Sequence, residues 1–333
     1  MHRLKNIEKI REENFFAFEQ IALYLNEFPT LISEEIIGEM AEGVAENEEL
    51  CFSTFLSLVL SNEDEEAALL LEKEYLRRTT KKLDPWTYQE NPYFKNIKIP
   101  NEKIGSWQLG YQSYLPYEGF IYNDILRLPN FREIPQIGFF SQEFTFPTVF
   151  EDGVEWMAIK PNEIETMKPH LEKMAGSVAV FGLGMGYFAY MASLKDEVTA
   201  VTIIERDQSV ISLFEKFILP QFENAHKIKI VKADAFDFVE NEMKNHSFDC
   251  AFVDLWHDVS DGVELYIKMK HLESKNPQVS FNYWIEDSIL SSIRWHVFDG
   301  ILKKYQSGQF EGTFEDVKTY LSNDYLKNLA KFL

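Results

Sequence analysis

Ser177-Val178-Ala179-Val180-Phe181-Gly182-Leu183-Gly184-Met185-Gly186 is an apolar run closed by three glycines at alternate positions. Ser177–Phe181 has the uninterrupted apolar character of a parallel strand buried on both faces. The chain then turns at Gly182, Gly184 and Gly186 and is expected to enter a helix near Tyr187. Glycine lets backbone pass close to a ligand, and a helix N-terminus presents free amides to an anionic group. The dinucleotide fingerprint requires Gly-x-Gly-x-x-Gly. Here the third glycine arrives one residue early and Tyr187 takes the dinucleotide position.

The same rhythm continues downstream. Val198–Ile204 predicts a second strand, with Glu205 at its end, about 20 residues beyond the glycines, where a carboxylate can accept hydrogen bonds from ribose hydroxyls. A strand-end acid can also cap the next helix, but Asp207 already supplies that cap. A helix around Ser209–Ile218 stops at Pro220, and Ile228–Lys232 predicts the third strand, followed by Asp234 and Ala235. A carboxylate there can take a hydrogen bond from an exocyclic amine such as that of adenine. Phe248–Leu255 predicts a fourth strand, which brings Asp254 to the carboxyl edge near the switch point of an open sheet, where ligands bind. Val279–Ile285 predicts a fifth, ending in Glu286-Asp287. Upstream, Asn162 and Glu165 mark a helix start, with Pro169 as a kink and Gly176 as the stop. Ser288–Lys304 and Phe314–Phe332 look helical. Residues 161–333 are therefore expected to form an α/β domain: a Rossmann-like, mostly parallel sheet with helices on both faces.

The segments Val178–Gly186, Val201–Glu205, Val231–Ala235 and Phe248–Asp254 together resemble the class I S-adenosylmethionine-dependent methyltransferases in order and spacing. The resemblance covers roughly the second half of the chain. It implies that Gly182, Gly184 and Gly186 pass against the methionine portion, that Glu205 binds the ribose, that Asp234 and Ala235 hold the adenine, and that Asp254 faces the methionine amine or the acceptor. Two features depart from that family. The acid often found two residues before the first glycine is replaced by Val180, and the strands that usually follow the fifth are shortened or missing. The same stretch is similar to the spermidine synthases, which use decarboxylated S-adenosylmethionine and tolerate an apolar residue at the Val180 position. Their fourth-strand loop reads Asp-Ser-x-Asp-Pro, whereas this one is Asp254-Leu255-Trp256-His257-Asp258.

The implied activity is methyl transfer from S-adenosylmethionine to the oxygen or nitrogen of a small-molecule acceptor. Aminopropyl transfer is the alternative, and a catalytically silent S-adenosylmethionine-binding module is a third reading. A methyl sulfonium is intrinsically reactive, so the protein mainly aligns the acceptor and removes a proton. His257 is the candidate base, since an unperturbed imidazole titrates near neutrality. Asp254 or Asp258 would orient it or hold an acceptor amine, and Trp256 would stack on adenine or close the pocket. Asp254, His257, Asp258 and Asp261 are residue types that also gather metals, but no geometry follows from their spacing and no metal is assigned.

Residues 1–83 read as short helices: an apolar stripe at Phe15, Phe18, Ile21, Ala22 and Leu25, a second start at Ser33, a third helix over Glu48–Leu60 and a fourth from Asn62 to about Lys81. A lid, a homodimer contact and a structural cap are its available roles. The acidic runs Glu46–Glu49 and Glu63–Glu66 suit solvated helix starts. Residues 84–160 are rich in proline and aromatics. Short strands are expected at Ile97–Ile99, Trp107–Tyr111 and Gln136–Phe140, with a hairpin of Phe144–Phe150 and Val154–Ile159 turning at Asp152-Gly153. Pro147 would place the hairpin's first strand at an edge. Asn91-Pro92-Tyr93 is turn chemistry, and Tyr111, Tyr114, Tyr117 and Tyr122 either pack or line an acceptor pocket formed with the N-terminal region.

A net charge of -21 over 333 residues disfavours nucleic acid as a partner. No secretory leader and no uncharged apolar run long enough to cross a bilayer is visible. Cys51 and Cys250 both lie in apolar runs and suit buried thiols rather than a disulfide. A soluble, cytoplasmic protein is expected.

Overall fold

The apolar runs of the second half become five parallel strands: Gly176–Phe181, Val198–Glu205, Ile228–Lys232, Cys250–Val253 and Ser280–Tyr283. This computed structural model describes residues 2–43 and 47–333, so Glu46 of the first acidic run lies outside the described residues. In sequence order the strands lie third, second, first, fourth, fifth across the sheet. The chain reverses its direction of winding between the first strand and the fourth, where Phe181 pairs with Val253 on one side and Ile204 on the other. This is a Rossmann-like sheet, flanked by the helices Tyr187–Ser193, Gln208–Leu213, Val259–Glu273 and Glu286–Gln306.

Burial explains the arrangement. Val178, Ala179, Val180 and Phe181 are all buried, as a central strand covered on both faces requires. Each large apolar side chain so enclosed contributes about 1.5–3 kcal/mol. Phe188, from the helix after the glycines, stacks on Phe252 of the fourth strand with ring centroids 3.7 Å apart. The third strand forms one edge and exposes Lys229 and Lys232, charges that discourage pairing with another chain.

Several boundaries differ from expectation. The fourth strand is only Cys250–Val253 and the fifth only Ser280–Tyr283, so Phe248, Leu255, Val279 and Ile285 lie outside the ladder. Phe248 instead packs on Phe238, and Ile285 adopts a left-handed φ of 43° immediately before the Glu286–Gln306 helix. The helix preceding the first strand starts at Pro161, a residue suited to the first helical position because it has no N–H to satisfy. It runs through Pro169 to Lys173, and Gly176, at φ 67°, opens the strand rather than closing the helix.

A four-stranded sheet is ordered Lys103–Ile104, Trp107–Tyr114, Phe144–Glu151, Val154–Ala158. The expected hairpin turn is present, with Asp152 at φ 49° and Gly153 at φ 84°. Pro147, however, lies in an interior strand rather than an edge. Proline forfeits only its own N–H; the Pro147 carbonyl still accepts a hydrogen bond from Ile159 at 2.9 Å.

The chain divides into two compact units, Met1–Thr87 with Ser113–Thr145, and Tyr88–Gln112 with Phe146–Leu333. The first contains the helices His2–Glu27, Glu34–Gly43, Glu48–Leu60 and Glu65–Leu70, the last continuing as a π-helical stretch Leu71–Leu76. They share a core with the sheet Lys81–Lys82, Glu133–Phe139, Phe120–Arg127, in which Phe52 stacks on Phe139 at 4.3 Å. The fourth helix is capped by Asp64, not Asn62, because Asn62 and Glu63 both take left-handed backbone conformations. The Phe120–Arg127 strand was not anticipated, and Ile97–Ile99 is not a strand. Pro85 and Pro92 open one-turn helices instead, the second capped by Asn91. Cys51 and Cys250 are buried and not joined in a disulfide. No helix among the described residues is long and apolar enough to cross a membrane.

Candidate functional site

The glycine turn is built so tightly that side chains are excluded for three separate reasons. A Cβ on Gly182 would stand 2.0 Å from the Asp254 carbonyl oxygen, one on Gly184 would stand 2.8 Å from the Met157 methyl, and one on Gly186 would enter the Phe214 ring. All three glycines have positive φ, which other residues rarely adopt. The turn therefore touches the end of the fourth strand directly, at the winding reversal.

Glu205 braces this turn. One carboxylate oxygen accepts from the Leu183 amide at 3.1 Å and the other from the Asp207 amide at 2.8 Å. Asp207 in turn caps the following helix through the Ser209 amide at 2.7 Å. Each Glu205 oxygen retains a lone pair. At the end of the third strand, Asp234 caps a short helical turn, accepting from Phe236 at 2.9 Å and Asp237 at 3.1 Å through a single oxygen, Oδ1. Ala235 beside it is buried.

Asp254 is half-buried and lines a cleft with Met157, Met167, Val180, Gly182 and Leu183. Removal from water pushes its acid constant up to about 7. A second carboxylate, absent from the sequence reading, shares this environment. Glu163, in the first turn of the Pro161–Lys173 helix, is pushed well above the usual carboxylate range, first by burial and then by the charge of Asp254, with Lys160 acting in the opposite direction. Its signal was weak: Ile164, Met167 and Leu171 mark the buried face of that helix, and Glu163 falls at the margin. Nothing local identifies its partner.

The loop after the fourth strand is disposed differently. Trp256 turns inward, near Gly262, Tyr266 and Tyr283, and its buried Nε1 has no hydrogen-bond partner. Asp258 caps the Val259–Glu273 helix by accepting from the Ser260 amide at 2.6 Å, and hydrogen bonding from Ser260, its side chain first and its backbone after, holds the acid constant below the usual range. Asp261 completes a capping box, accepting from the amides of His257 and Asp258 at 3.1 Å and 3.0 Å. His257 is exposed, lies edge-on to Trp156 with centroids 6.2 Å apart, and has Nδ1 3.9 Å from Asp258. Among the described residues, no group of three or more His, Cys, Asp or Glu side chains is arranged to hold a metal ion.

The structure thus gathers Gly182, Gly184, Gly186, Glu205, Asp254 and the unforeseen Glu163 around the switch point. Asp234 and Ala235 stand at the end of a neighbouring strand, His257 and Asp258 on an exposed loop, and Trp256 in packed surroundings. The four tyrosines are engaged individually: Tyr111 accepts from the Ile99 amide, Tyr114 stacks on Phe120, Tyr117 donates to Glu48 and Tyr122 donates to Gln136.

No protein-family model matches the chain, and no curated protein matches it. Among solved structures it is similar to the spermidine synthase of Thermotoga maritima, at 21% identity and a TM-score of 0.26. That match covers 37% of this chain and 45% of that one, so the chain spans less than half the length of the enzyme it resembles.

Proposed function

We propose that the glycine-turn end of the parallel sheet binds S-adenosylmethionine and that the protein transfers its methyl group to an oxygen or nitrogen of a small-molecule acceptor. One observation carries this reading: a glycine turn closed to side chains at the switch point, with Glu205 fastened to the Leu183 amide at its flank. That leaves backbone close to the ligand and keeps carboxylate lone pairs for a ribose diol. Asp234 has its Oδ2 without a helix-capping bond, suited to an exocyclic amine.

The bound sulfonium supplies an activated methyl group, so the protein's own contribution is placement and proton removal. Asp254 suits the second task. A carboxylate with an acid constant pushed up to about 7 is partly protonated and partly ionised at neutral pH, as a general base should be. The apolar walls of Met157, Met167, Val180 and Leu183 exclude water and strengthen electrostatic interactions within the cleft. His257, on the exposed loop, is the second candidate to take the acceptor's proton.

Calorimetric titration with S-adenosylmethionine and with its decarboxylated form tests the reading. Saturable binding of the first, weakened about tenfold or more by Glu205→Ala, is expected from the loss of charge-assisted hydrogen bonds. Unchanged affinity in that variant would remove the ribose assignment. Preference for the decarboxylated form would redirect the activity to aminopropyl transfer, and binding without turnover on a broad acceptor panel would favour a silent module.

A further inference from the structure

The Asn91-Pro92-Tyr93 turn lies far upstream of the parallel sheet in sequence, yet it is fastened to the glycine turn. Tyr93 is fully buried, and its hydroxyl donates to the Met185 carbonyl at 2.7 Å. Asn91 uses both ends of its side-chain amide. The oxygen accepts from the Tyr93 amide at 2.9 Å and so caps the one-turn helix, while the nitrogen donates to the Tyr187 hydroxyl at 3.0 Å. The Tyr93 ring lies against those of Tyr187 and Tyr190, each with its centroid 5.6 Å away. Further along, Asn96 donates to the Tyr190 hydroxyl at 2.9 Å. Tyr88–Gln112 belongs to the same compact unit as the parallel sheet, so these contacts are internal to that unit.

Tyr187 stands where the dinucleotide fingerprint has its third glycine. The bulk that replaces that glycine is buried, with its hydroxyl held by Asn91. A turn carrying three glycines at positive φ is costly to order, because glycine loses more conformational freedom than any other residue. Glu205 holds this turn at the Leu183 amide, and Tyr93 holds it two residues later at the Met185 carbonyl. A turn fixed on both sides of Gly184 is ordered before a ligand arrives, so binding does not bear the ordering cost.

We propose that Tyr93 is a positioning residue for the bound nucleoside: through the Met185 carbonyl it holds the glycine turn in its ligand-binding shape, with Asn91 and Tyr187 as its anchor. This rests on the reading of the sheet edge as an S-adenosylmethionine site, with the turn passing against the methionine arm. The effect is confined to that arm. A nucleoside lacking it gains nothing from a turn held in place.

The test measures binding of S-adenosylmethionine and of 5′-methylthioadenosine, which has no amino-acid arm, to the wild-type protein and two variants. Tyr93→Phe keeps the ring contacts and removes the hydroxyl. Tyr190→Phe breaks the Asn96 bond at the same interface without touching the bond to Met185. Tyr93→Phe should weaken S-adenosylmethionine binding about threefold to tenfold and leave methylthioadenosine within about twofold, and Tyr190→Phe should change neither. In the ligand-free protein, amide exchange at Gly186, which donates to the Leu183 carbonyl, should quicken in Tyr93→Phe. Exchange at Gly182, bonded to Ile204, should not. Unchanged S-adenosylmethionine binding in Tyr93→Phe would overturn the proposal. Equal losses for both nucleosides, or an equal loss in Tyr190→Phe, would reveal general loosening of the interface and overturn it as well. A wild-type protein that binds neither nucleoside would refute the reading of the sheet edge itself, and the proposal with it; quickened Gly186 exchange would still mark that failure as separate from the others.

Discussion

Replacing Asp254 by asparagine should make the ligand-free protein more stable, and only when the pH is high enough. In the folded chain Asp254 has its acid constant pushed from 3.8 up to about 7. Between those limits the folded protein keeps a proton that the unfolded chain has released, so stability falls as pH rises across the window and the full penalty stands above it. Three units at about 1.4 kcal/mol each set a ceiling of about 4 kcal/mol. The effective dielectric around buried charges in proteins is well above that of a dry interior, so about 2 kcal/mol is expected. Burial is the cause of the Asp254 shift; Glu163, itself raised by burial and by Asp254, is a neighbouring acid, and Lys160 is paired with Glu155. Asparagine has the shape of aspartic acid and no charge to desolvate. For a unit of this size, thermal unfolding should show a gain of roughly 4–8 °C at pH 8, shrinking to about a third of that at pH 5. An equal gain at both pH values would mean that ionisation of Asp254 is not involved. A loss at pH 8 would mean that the carboxylate is a stabilising group, contrary to the geometry of the cleft.

Two further substitutions probe the scaffold around the cleft. Gly186→Ala must place a Cβ 2.3 Å from the Phe214 ring at a φ of 73°, and it should cost about 2–4 kcal/mol in urea unfolding; a cost below about 0.5 kcal/mol would show that the turn relaxes freely. Asp261→Ala removes the reciprocal half of the capping box at the Val259–Glu273 helix and should cost about 1 kcal/mol. Faster amide hydrogen exchange at His257 and Asp258 is expected alongside it, and unaltered exchange would show that those amides do not depend on Asp261.

The parallel sheet was legible because its central runs allow little else. Ser177–Phe181 and Val198–Ile204 are apolar throughout, and glycine or acid punctuation marks their carboxyl ends. The strand ends were less so, since Phe248 and Ile285 continue the apolar run while serving packing and backbone reversal outside the ladder. Proline carried two meanings in the middle of the chain. Pro85, Pro92 and Pro161 open helices, whereas Pro147 interrupts an interior strand, and composition alone does not separate these uses. The placement of Gly182, Glu205 and Asp254 at one edge of the sheet was legible because position along a strand determines position at the sheet edge. Glu163 belongs to a different kind of information: its significance lies in the proximity of a helix start to a distant strand end. Trp256 shows the converse, an aromatic in a functional-looking loop whose side chain is taken up by packing.

The absence of a side chain at Gly182 has a thermodynamic consequence beyond steric fit. The Gly182 backbone is so close to the Asp254 carbonyl oxygen that no Cβ fits between them, so the turn and the residue at the end of the fourth strand are in mechanical contact. If the proposed ligand occupies the turn and meets the Asp254 carboxyl differently in its two protonation states, occupancy and protonation become linked equilibria, each biasing the other by the same factor. A ligand that favours the ionised carboxylate will expel a proton on binding, and its affinity will climb as the medium becomes less acidic, up to the point where the free protein has already lost that proton. Under the proposed reading, the glycine turn would then let ambient acidity set the occupancy of the cleft.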